Sequence, residues 1–182
     1  MGMKDLKFIP VPSRPDLVSG SVAALVNRWN GNVPAEEFLV AEIDPAAYEG
    51  SEFCARYGFL PDEGANCVVV EAVRGSNSTF VACLVPVGCR MDLGGFVRRH
   101  LGARRVSVAH KETVLEKTGM EYGSITIIGL PADWRILIDA SLIKKPRVAM
   151  GSGLLRSKLS VRGATLSELP NAEVIEGLGI RS

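Results

Sequence analysis

The sequence predicts a single α/β domain built on a mixed, curved β-sheet or a partly closed barrel, with helices packed outside it. Helical and strand-like segments alternate along the chain, and two β-branched runs at 67–73 and 79–87 flank a loop of turn-forming residues. Such a pair is typical of a β-hairpin, so the sheet cannot be purely parallel. A length of 182 residues with 47% hydrophobic content also fits one compact domain.

Each further element follows from its apolar spacing and its caps. Asp16 is a good N-cap for apolar residues at helical spacing, and Gly31 and Pro34 close that helix. In order, the sequence predicts a helix over 16–29, a strand over 38–43, a helix over 44–57, the hairpin over 67–87, a helix over 92–101, a strand over 104–109, a helix over 111–117, strands over 135–139, 148–150 and 154–161, and a helical turn over 165–169. The domain is thus expected to span 1–182, with an N-terminal segment and helix over 1–34 and an α/β core over 35–182.

Composition and charge exclude several classes of protein. Lys and Arg number 21 and Asp and Glu number 20, so a net charge of +1 provides no global field for a polyanion, and any RNA contact must be local. The N-terminal apolar stretches are short and broken by prolines, so the sequence predicts no signal peptide and no membrane span there. A cytoplasmic location is therefore expected. The cysteines at 54, 67, 83 and 89 form no C-x-x-C pair and the chain has 2 histidines, so we expect buried free thiols and no metal site.

Glycine-bearing loops alternate with apolar strands between Thr118 and Gly153, where the chain reads TGMEYGSITIIGLP, RILIDASLI and VAMGSG. Clustered glycines indicate backbone that turns with positive φ or lets another group approach its amides. Two such loops facing each other would form an oxyanion-type site, in which each N–H donor contributes roughly 3 kcal/mol to the rate. Hydrolysis of an aminoacyl ester passes through such an oxyanion. Glycines at strand ends are also ordinary turn residues, which is the alternative interpretation.

The order of these segments, with Asp139 ending an apolar strand and Gly151 and Ser152 following another, resembles the YbaK family of aminoacyl-tRNA editing domains. That family also occurs as a domain inserted in bacterial prolyl-tRNA synthetases. The likeness runs from Asn66 to Ile180 and implies the family's α/β fold. It also implies a trans-editing deacylase that hydrolyses the ester of a small mischarged amino acid, with the tRNA 3′ end as partner and no metal or organic cofactor. The amino acid, the tRNA and the oligomeric state stay open.

The resemblance assigns roles to particular residues. The glycine loops would bind the ester through main-chain amides, and the nucleophile would be water positioned with help from the tRNA's ribose hydroxyl. The expected catalytic residues are Asn66, Gly123, Asp139 and Gly151. The expected substrate-binding residues are Gly119, Ser124, Ile125, Thr126, Ser152, Gly153, Arg156 and Lys158. Asp139 would shape the pocket or hold the substrate's amino group, although a cap that accepts backbone hydrogen bonds is an equally ordinary use of aspartate.

Two departures from the family bear on activity. Family members usually carry a lysine where this chain has Asn66, and a proline near Ile127. An asparagine can donate a hydrogen bond but brings no charge to a phosphate. Arg156 and Lys158 alternate on a later strand, so they could supply the missing cation or form a solvated face.

A second basic cluster, at 98–105, either reflects the helix dipole or contacts the acceptor stem. The rival interpretation of the whole chain is a non-catalytic module. It would bind an amino-acid-like or nucleotide-like ligand, or a partner protein, in the same pocket. The missing lysine and proline are its main support.

Overall fold

The computed structural model describes residues 6–182, so the first five residues of the predicted N-terminal segment lie outside it. Its strands are β1 (Ile9–Pro10), β2 (Leu39–Glu42), β3 (Ala65–Arg74), β4 (Asn77–Pro86), β5 (Cys89–Arg90), β6 (Arg105–Val108), β7 (Arg135–Asp139), β8 (Val148–Gly151), β9 (Ser157–Val161), β10 (Ala172–Ile175) and β11 (Ile180–Arg181). Its helices are α1 (Gly20–Asn27), α2 (Gly50–Tyr57), α3 (Arg98–His100), α4 (Lys111–Thr118), α5 (Ala140–Ile143) and α6 (Gly163–Leu166).

Two sheets form the body of the domain. The larger has the strand order β10-β7-β4-β3-β6 and the smaller the order β1-β2-β9-β8, while β5 pairs with β11. The larger sheet is mixed, because β7 is parallel to both of its neighbours whereas β3 is antiparallel to β4 and β6. An isolated bridge between Gly64 and Ala149 links the two sheets. The predicted α/β fold with a mixed sheet is confirmed, and over the described residues the sheets stay open instead of closing into a barrel.

Alternation along β3 divides its side chains between two hydrophobic cores. Val69 packs with Leu84 of β4 in the larger core, and its neighbour Val70 packs with Cys83 in the second core. Because β4 and β7 are also buried on both faces, their sequences are continuous apolar runs without polar alternation. The predicted β3–β4 hairpin is confirmed in full register, from Ala65 opposite Pro86 to Arg74 opposite Asn77.

Two predicted helices are shorter than expected, and each is interrupted by extended backbone. Asp16 lies in a 3-10 turn, and α1 begins only at Gly20 because Ser19 is extended. The predicted helix over 44–57 is divided in the same way. Its first part is a 3-10 turn over Pro45–Ala47, and α2 starts after Glu49, whose backbone is extended and whose carboxylate caps the helix.

The third correction concerns the helix predicted over 92–101. Asp92 does cap it, but its carboxylate accepts the N–H groups of Gly95 and Phe96, and the first turn over Leu93–Val97 is π-helical. Regular α-helix follows this turn only over the three residues of α3. The strand and helix predicted next, β6 and α4, are confirmed, as are β7, β8 and β9.

The position of the candidate site follows from an incomplete edge of the larger sheet. β6 pairs with β3 only from Val70 to Val73, so the beginning of β3 has β4 on one side and no strand of its own sheet on the other. The smaller sheet stands opposite that beginning, with Gly151 of β8 paired to Lys158 of β9. The loop that follows α4 closes the space between the two sheets.

Candidate active site

The space between the two sheets holds a cavity of about 370 Å³, which we call the glycine cavity. Its walls come from the start of β3, the loop after α4, the end of β8, the middle of β9 and the first residues of α2. The lining residues are Tyr48, Glu49, Gly50, Ala65, Asn66, Cys67, Val68, Tyr122, Gly123, Ile125, Gly151 and Lys158. The structure thus brings together Asn66, Gly123, Ile125, Gly151 and Lys158 from the sequence-predicted site.

Two glycines allow the cavity walls to approach each other closely. A Cβ atom on Gly151 would lie 2.6 Å from the carbonyl oxygen of Ser124 and 2.7 Å from that of Ile125. Gly123 has a φ of +92°, and a Cβ atom there would lie 2.4 Å from Cε2 of Tyr48. Both positions therefore require glycine, the first for backbone contact and the second also for its positive φ. A side chain at either would displace a wall of the cavity.

Serine hydroxyls join the two glycine loops to each other. Ser124 Oγ donates to the carbonyl oxygen of Leu154 at 2.8 Å and accepts the N–H of Ser152 at 3.2 Å. The Gly153 N–H donates to the carbonyl oxygen of Ser124 at 2.8 Å, and the hydroxyls of Ser152 and Ser157 are 2.7 Å apart. Ser124, Ser152 and Gly153, predicted as substrate-binding, hold the loops in place and do not line the cavity.

The loop after α4 contributes Gly123 and Ile125 to the cavity wall. Within residues 6–182, the N–H groups of Gly123 and Ile125 have no hydrogen-bond acceptor, whereas the Ser124 N–H between them donates to Glu121 at 3.1 Å. Backbone N–H groups are strong donors that are nearly always paired when water is excluded. Because both residues line the cavity, their N–H groups are candidate donors to an oxygen atom of a ligand.

Lys158 places an ammonium group in the same cavity. The residue is only 5% exposed, and its Nζ donates to the carbonyl oxygen of Tyr48 at 2.8 Å and lies 5.3 Å from the centroid of the Phe53 ring. Burial lowers the pKa of this ammonium to about 8, against smaller opposing effects of Cys54 and Glu49. Lys158 is therefore protonated in most molecules at pH 7, and it is not part of a solvated sheet face.

Asn66 lies on the opposite wall, on β3. Its amide makes no hydrogen bond within the described part of the chain, and its Oδ1 packs so tightly against Gly50 that a Cβ atom there would be 2.5 Å away. Among the described residues that line the cavity, the cation is Lys158 of β9, and β3 contributes none. The sequence offered the alternation of Arg156 and Lys158 as its only signal for this arrangement.

Asp139 lies outside the glycine cavity. It caps α5, accepting the Ser141 N–H at 3.0 Å and the Ser141 Oγ–H at 2.5 Å, and it also accepts the Gly179 N–H at 2.7 Å. These contacts match the alternative interpretation of the sequence, in which Asp139 is a helix cap that accepts backbone hydrogen bonds. Because β4 stands between β3 and β7, Asp139 is separated from Asn66 by two strand spacings, or about 10 Å.

A second cavity of about 1100 Å³, which we call the aspartate cavity, contains Asp139. Its lining residues are Leu60, Pro61, Asp62, Pro86, Val87, Gly88, Cys89, Asp139, Ser141, Lys144, Lys145, Pro146, Glu176, Gly177, Gly179, Arg181 and Ser182. Its charged side chains include a pair between Lys145 and Asp62. The sequence prediction therefore combined residues of two different cavities.

The remaining predicted residues lie apart from the glycine cavity. Gly119 is the left-handed C-cap of α4, and Thr126 is fully buried, with no partner for its Oγ1 among the described residues. The guanidinium of Arg156 is exposed and donates to the carbonyl oxygen of Asp16 at 2.6 Å. Although Arg156 and Lys158 alternate in sequence, only the lysine turns inward, because β9 begins after Arg156.

The basic cluster at 98–105 is remote from the cavity. Arg105 pairs with Val73, seven residues along β3 from Asn66, which corresponds to about 23 Å of strand. The Nε2 atom of His100 lies 2.8 Å from a carboxylate oxygen of Glu173. If this cluster contacts RNA, it contacts a part of the RNA that lies well away from the group bound in the glycine cavity.

Sequence reasoning missed the aromatic and helical part of the cavity. Tyr122 directly precedes Gly123 in the glycine-rich loop, which is a signal that could have been used. Tyr48, Glu49 and Gly50 reach the cavity from the start of α2 through tertiary packing, and no local pattern marks them.

Neither a metal site nor a membrane span is found in the part of the chain that the structure describes. Among residues 6–182, no group of three or more His, Cys, Asp and Glu side chains is arranged to hold a metal ion. None of the helices there combines the length and the apolar character needed to cross a bilayer.

The fold and the glycine cavity together define a class of protein. A family model described as the aminoacyl-tRNA editing domain matches residues 44–169, which include every element that lines the cavity. The chain belongs to this family, and the resemblance identified from the sequence is confirmed. No curated protein sequence matches the chain significantly.

Solved structures share the fold at low sequence identity. One, described as a candidate trans-editing enzyme for prolyl-tRNA synthetase, is 21% identical with a TM-score of 0.71, and the match covers 87% of this chain and 97% of that one. Another, the hypothetical protein APE2540, is 20% identical with a TM-score of 0.69, over 79% of this chain and 91% of that one. These similarities extend the fold assignment beyond the matched family segment.

Proposed function

We propose that this protein is a trans-editing aminoacyl-tRNA deacylase, which hydrolyses the ester of a small mischarged amino acid on tRNA in the cytoplasm. The observation that carries the proposal is the glycine cavity, which is lined by Gly123 and Ile125, whose N–H groups have no acceptor among the described residues, and by Lys158. An ester carbonyl becomes an oxyanion when water attacks it, and donors of this kind stabilise that charge. Membership of the editing family and the trans-editing neighbour support the same class of substrate.

The proposed reaction is a simple ester hydrolysis. Water, positioned with help from the tRNA's ribose hydroxyl, adds to the carbonyl carbon and forms a tetrahedral oxyanion. The N–H groups of Gly123 and Ile125 stabilise this charge, each by roughly 3 kcal/mol. The bond from the carbonyl carbon to the ribose oxygen then breaks, and a proton from the attacking water ends on that oxygen. The products are the free amino acid and uncharged tRNA.

Lys158 is proposed to act as an electrostatic group and not as a base. The carbonyl oxygen of Tyr48 holds its Nζ, which leaves two of its three N–H donors for a substrate oxygen. Burial strengthens the interaction of this charge with an oxyanion because little water screens it. With a pKa of about 8, the protonated fraction falls as pH rises through that value, so the contribution of Lys158 falls with it.

The size of the cavity supports a small amino acid. Its volume of about 370 Å³ must accept the aminoacyl group together with part of the ribose, and it lies near the lower end of ordinary ligand pockets at roughly 300–1,000 Å³. Val68 and Ile125 supply apolar surface to the wall. A large side chain on the ester would compete with the ribose for this space.

A specific observation favours a second candidate function. Asn66 occupies the place of the family lysine, and its amide has no partner among the described residues, so it is free to recognise an uncharged group. A non-catalytic module that binds an amino-acid-like or nucleotide-like ligand would use the same cavity without hydrolysis.

A panel of mischarged tRNAs separates the two candidates. Purified protein is expected to release at least one small amino acid faster than the spontaneous rate, and Gly123→Ala is expected to abolish that excess because its Cβ atom collides with Tyr48. Gly75→Ala is the matched control, since Gly75 also has a positive φ, of +61°, but has nothing within 4 Å. Release no faster than the spontaneous rate for every tRNA, at high protein concentration, would favour the binding module.

A further inference from the structure

Two tyrosines and a lysine form a rim at the mouth of the glycine cavity. Tyr122 is 58% exposed and Tyr48 is 36% exposed, although both line the cavity. They stand on either side of Gly123: Tyr122 precedes it in the chain, and the ring of Tyr48 packs where a Cβ atom of Gly123 would be. The Nζ atom of Lys111, at the start of α4, lies 4.2 Å from the centroid of the Tyr122 ring.

This rim combines the two features that bind single-stranded nucleic acid. Exposed aromatic rings stack on nucleobases of any sequence, and a neighbouring cation contacts the phosphate of the same nucleotide. Tyr122 and Tyr48 are exposed together beside a polar cavity, which leaves their rings available to a ligand. The cation of Lys111 favours an anionic occupant over an apolar peptide.

We infer that Tyr122, supported by Tyr48 and Lys111, is the platform on which the terminal nucleobase of the tRNA 3′ end stacks. The inference rests on the proposed function, since it takes the ester to lie in the glycine cavity. The ester and the base are attached to the same ribose. When the carbonyl group is beside Gly123 and Ile125, the base must therefore leave the cavity at its rim, where Tyr122 stands directly before Gly123 in the chain.

The competing arrangement places the amino-acid side chain, instead of the base, against the tyrosines. The cavity argues against it, because Val68 and Ile125 already offer enclosed apolar surface to that side chain. An exposed ring would remove less of the side chain from water. The two arrangements also differ in a measurable way, since only base stacking depends on the base itself.

The test uses binding without hydrolysis, so that it does not depend on the reaction. The full chain is titrated with a short RNA that ends in adenosine, and with the same RNA ending in an abasic ribose. In a third RNA, a 2-aminopurine at the terminal position reports stacking by the quenching of its fluorescence. The intact RNA is expected to bind about tenfold more tightly than the abasic one. Tyr122→Ala is expected to remove that difference and the quenching, while Tyr122→Phe keeps both. Val174→Ala, at a site 41% exposed on β10, the opposite edge strand of the larger sheet, is the matched control and should change neither.

Several results would overturn the inference. The parent alone contradicts the inference if it binds the two RNAs with equal affinity, or if it binds neither measurably. A folded Tyr122→Ala variant contradicts it if its preference for the RNA with the base is unchanged. Lys111→Gln is expected to reduce the salt dependence of binding by about one charge, and an unchanged slope argues against its phosphate contact. Hydrolysis without base preference removes the platform and leaves the proposed function intact. Base preference without hydrolysis of any charged tRNA leaves the platform and removes the deacylase.

Discussion

The glycine cavity and the aspartate cavity both contain charged residues, but Lys158 in the first and Asp139 in the second are held differently. In the aspartate cavity, Asp139 accepts hydrogen bonds from Ser141 and Gly179, and Lys145 is paired with Asp62. In the glycine cavity, the Lys158 ammonium has no carboxylate partner among the described residues and is held by one carbonyl oxygen. Its burial also lowers its pKa to about 8.

This difference distinguishes a structural polar group from a functional one. Satisfied polar groups stabilise the fold, whereas a buried cation without a counter-ion destabilises it and is retained where a ligand supplies the opposite charge. By this criterion we expect the chemistry in the smaller cavity, despite the volume and the carboxylates of the larger one. The comparison gives opposite predictions for variants in the two cavities.

The largest effect is expected for Gly151→Val, which tests whether close backbone contact builds the glycine cavity. The new side chain would collide with the carbonyl oxygens of Ser124 and Ile125, which are fixed by neighbouring hydrogen bonds. We expect a loss of about 3 kcal/mol in the free energy of unfolding, measured by denaturant titration, together with loss of ligand binding. Gly20→Val is the control, because a Cβ atom there meets nothing within 4 Å. Equal stability of the two variants would show that the loops do not meet as described.

Lys158→Met is expected to stabilise the protein at pH 7, by about 1–3 kcal/mol, because it removes a buried charge and keeps the apolar stem. The sign follows from the pKa. Since the pKa is about 8 in the folded chain and 10.5 in the unfolded one, the unfolded chain binds more protons between these values. The stability of the parent should therefore rise with pH across that window, and the advantage of Lys158→Met should disappear.

Thermal melts of Lys158→Met at several pH values check this prediction. Arg156→Met is the matched control, since its guanidinium is exposed two residues away and should give neither the gain nor the pH window. A destabilised Lys158→Met at pH 7 would mean that the ammonium has a favourable partner in the free protein.

Asp139→Ala is expected to have the opposite effect, a loss of about 1–3 kcal/mol of stability, because the cap of α5 and the bond from Gly179 are removed. Asp139→Asn should lose less, since asparagine is also a good N-cap. Chemical denaturation checks both variants. If Asp139→Ala is as stable as the parent, the aspartate is not the structural group described here.

The smallest effect is expected from moving the cation between strands. Asn66→Lys restores the family's lysine, but with Lys158 already in the cavity a second ammonium should change deacylation little. In the Lys158→Met background, the same substitution should raise deacylation about tenfold, because a charged hydrogen bond is worth roughly 1.5–3 kcal/mol. Single-turnover assays on one mischarged tRNA measure both effects. A larger gain in the parent than in Lys158→Met would indicate that Lys158 does not take the place of the missing lysine.

The sequence predicted most of the fold, because the signals for it are local. The β3–β4 hairpin follows from two β-branched runs around a turn, and α4 follows from apolar spacing stopped by Gly119. The helix starts at Asp16 and Asp44 were wrong because an N-cap residue and a proline are equally compatible with a 3-10 turn. Which residue then remains extended, as Ser19 and Glu49 do, depends on tertiary packing.

The site was predicted less completely, because it depends on which strands become neighbours. Gly151 lies against backbone and Gly123 against the ring of Tyr48, but nothing in the sequence shows that β4 separates Asp139 from Asn66. Alternation suggested that Arg156 and Lys158 share a face, whereas β9 begins between them. The contribution of Tyr48 could not be predicted at all, since it arises from the packing of the start of α2 against the glycine loop.

The central claim is that the glycine cavity, and not the aspartate cavity, carries the chemistry. The most direct test is single-turnover hydrolysis of one mischarged tRNA, identified from the panel, by the parent, Lys158→Met and Asp139→Ala at pH 7 and the same salt concentration. We predict that Lys158→Met falls about a hundredfold towards the spontaneous rate, while Asp139→Ala, assayed below its unfolding transition, stays within about twofold of the parent. A folded Lys158→Met that hydrolyses as fast as the parent, with Asp139→Ala inactive, would contradict the claim.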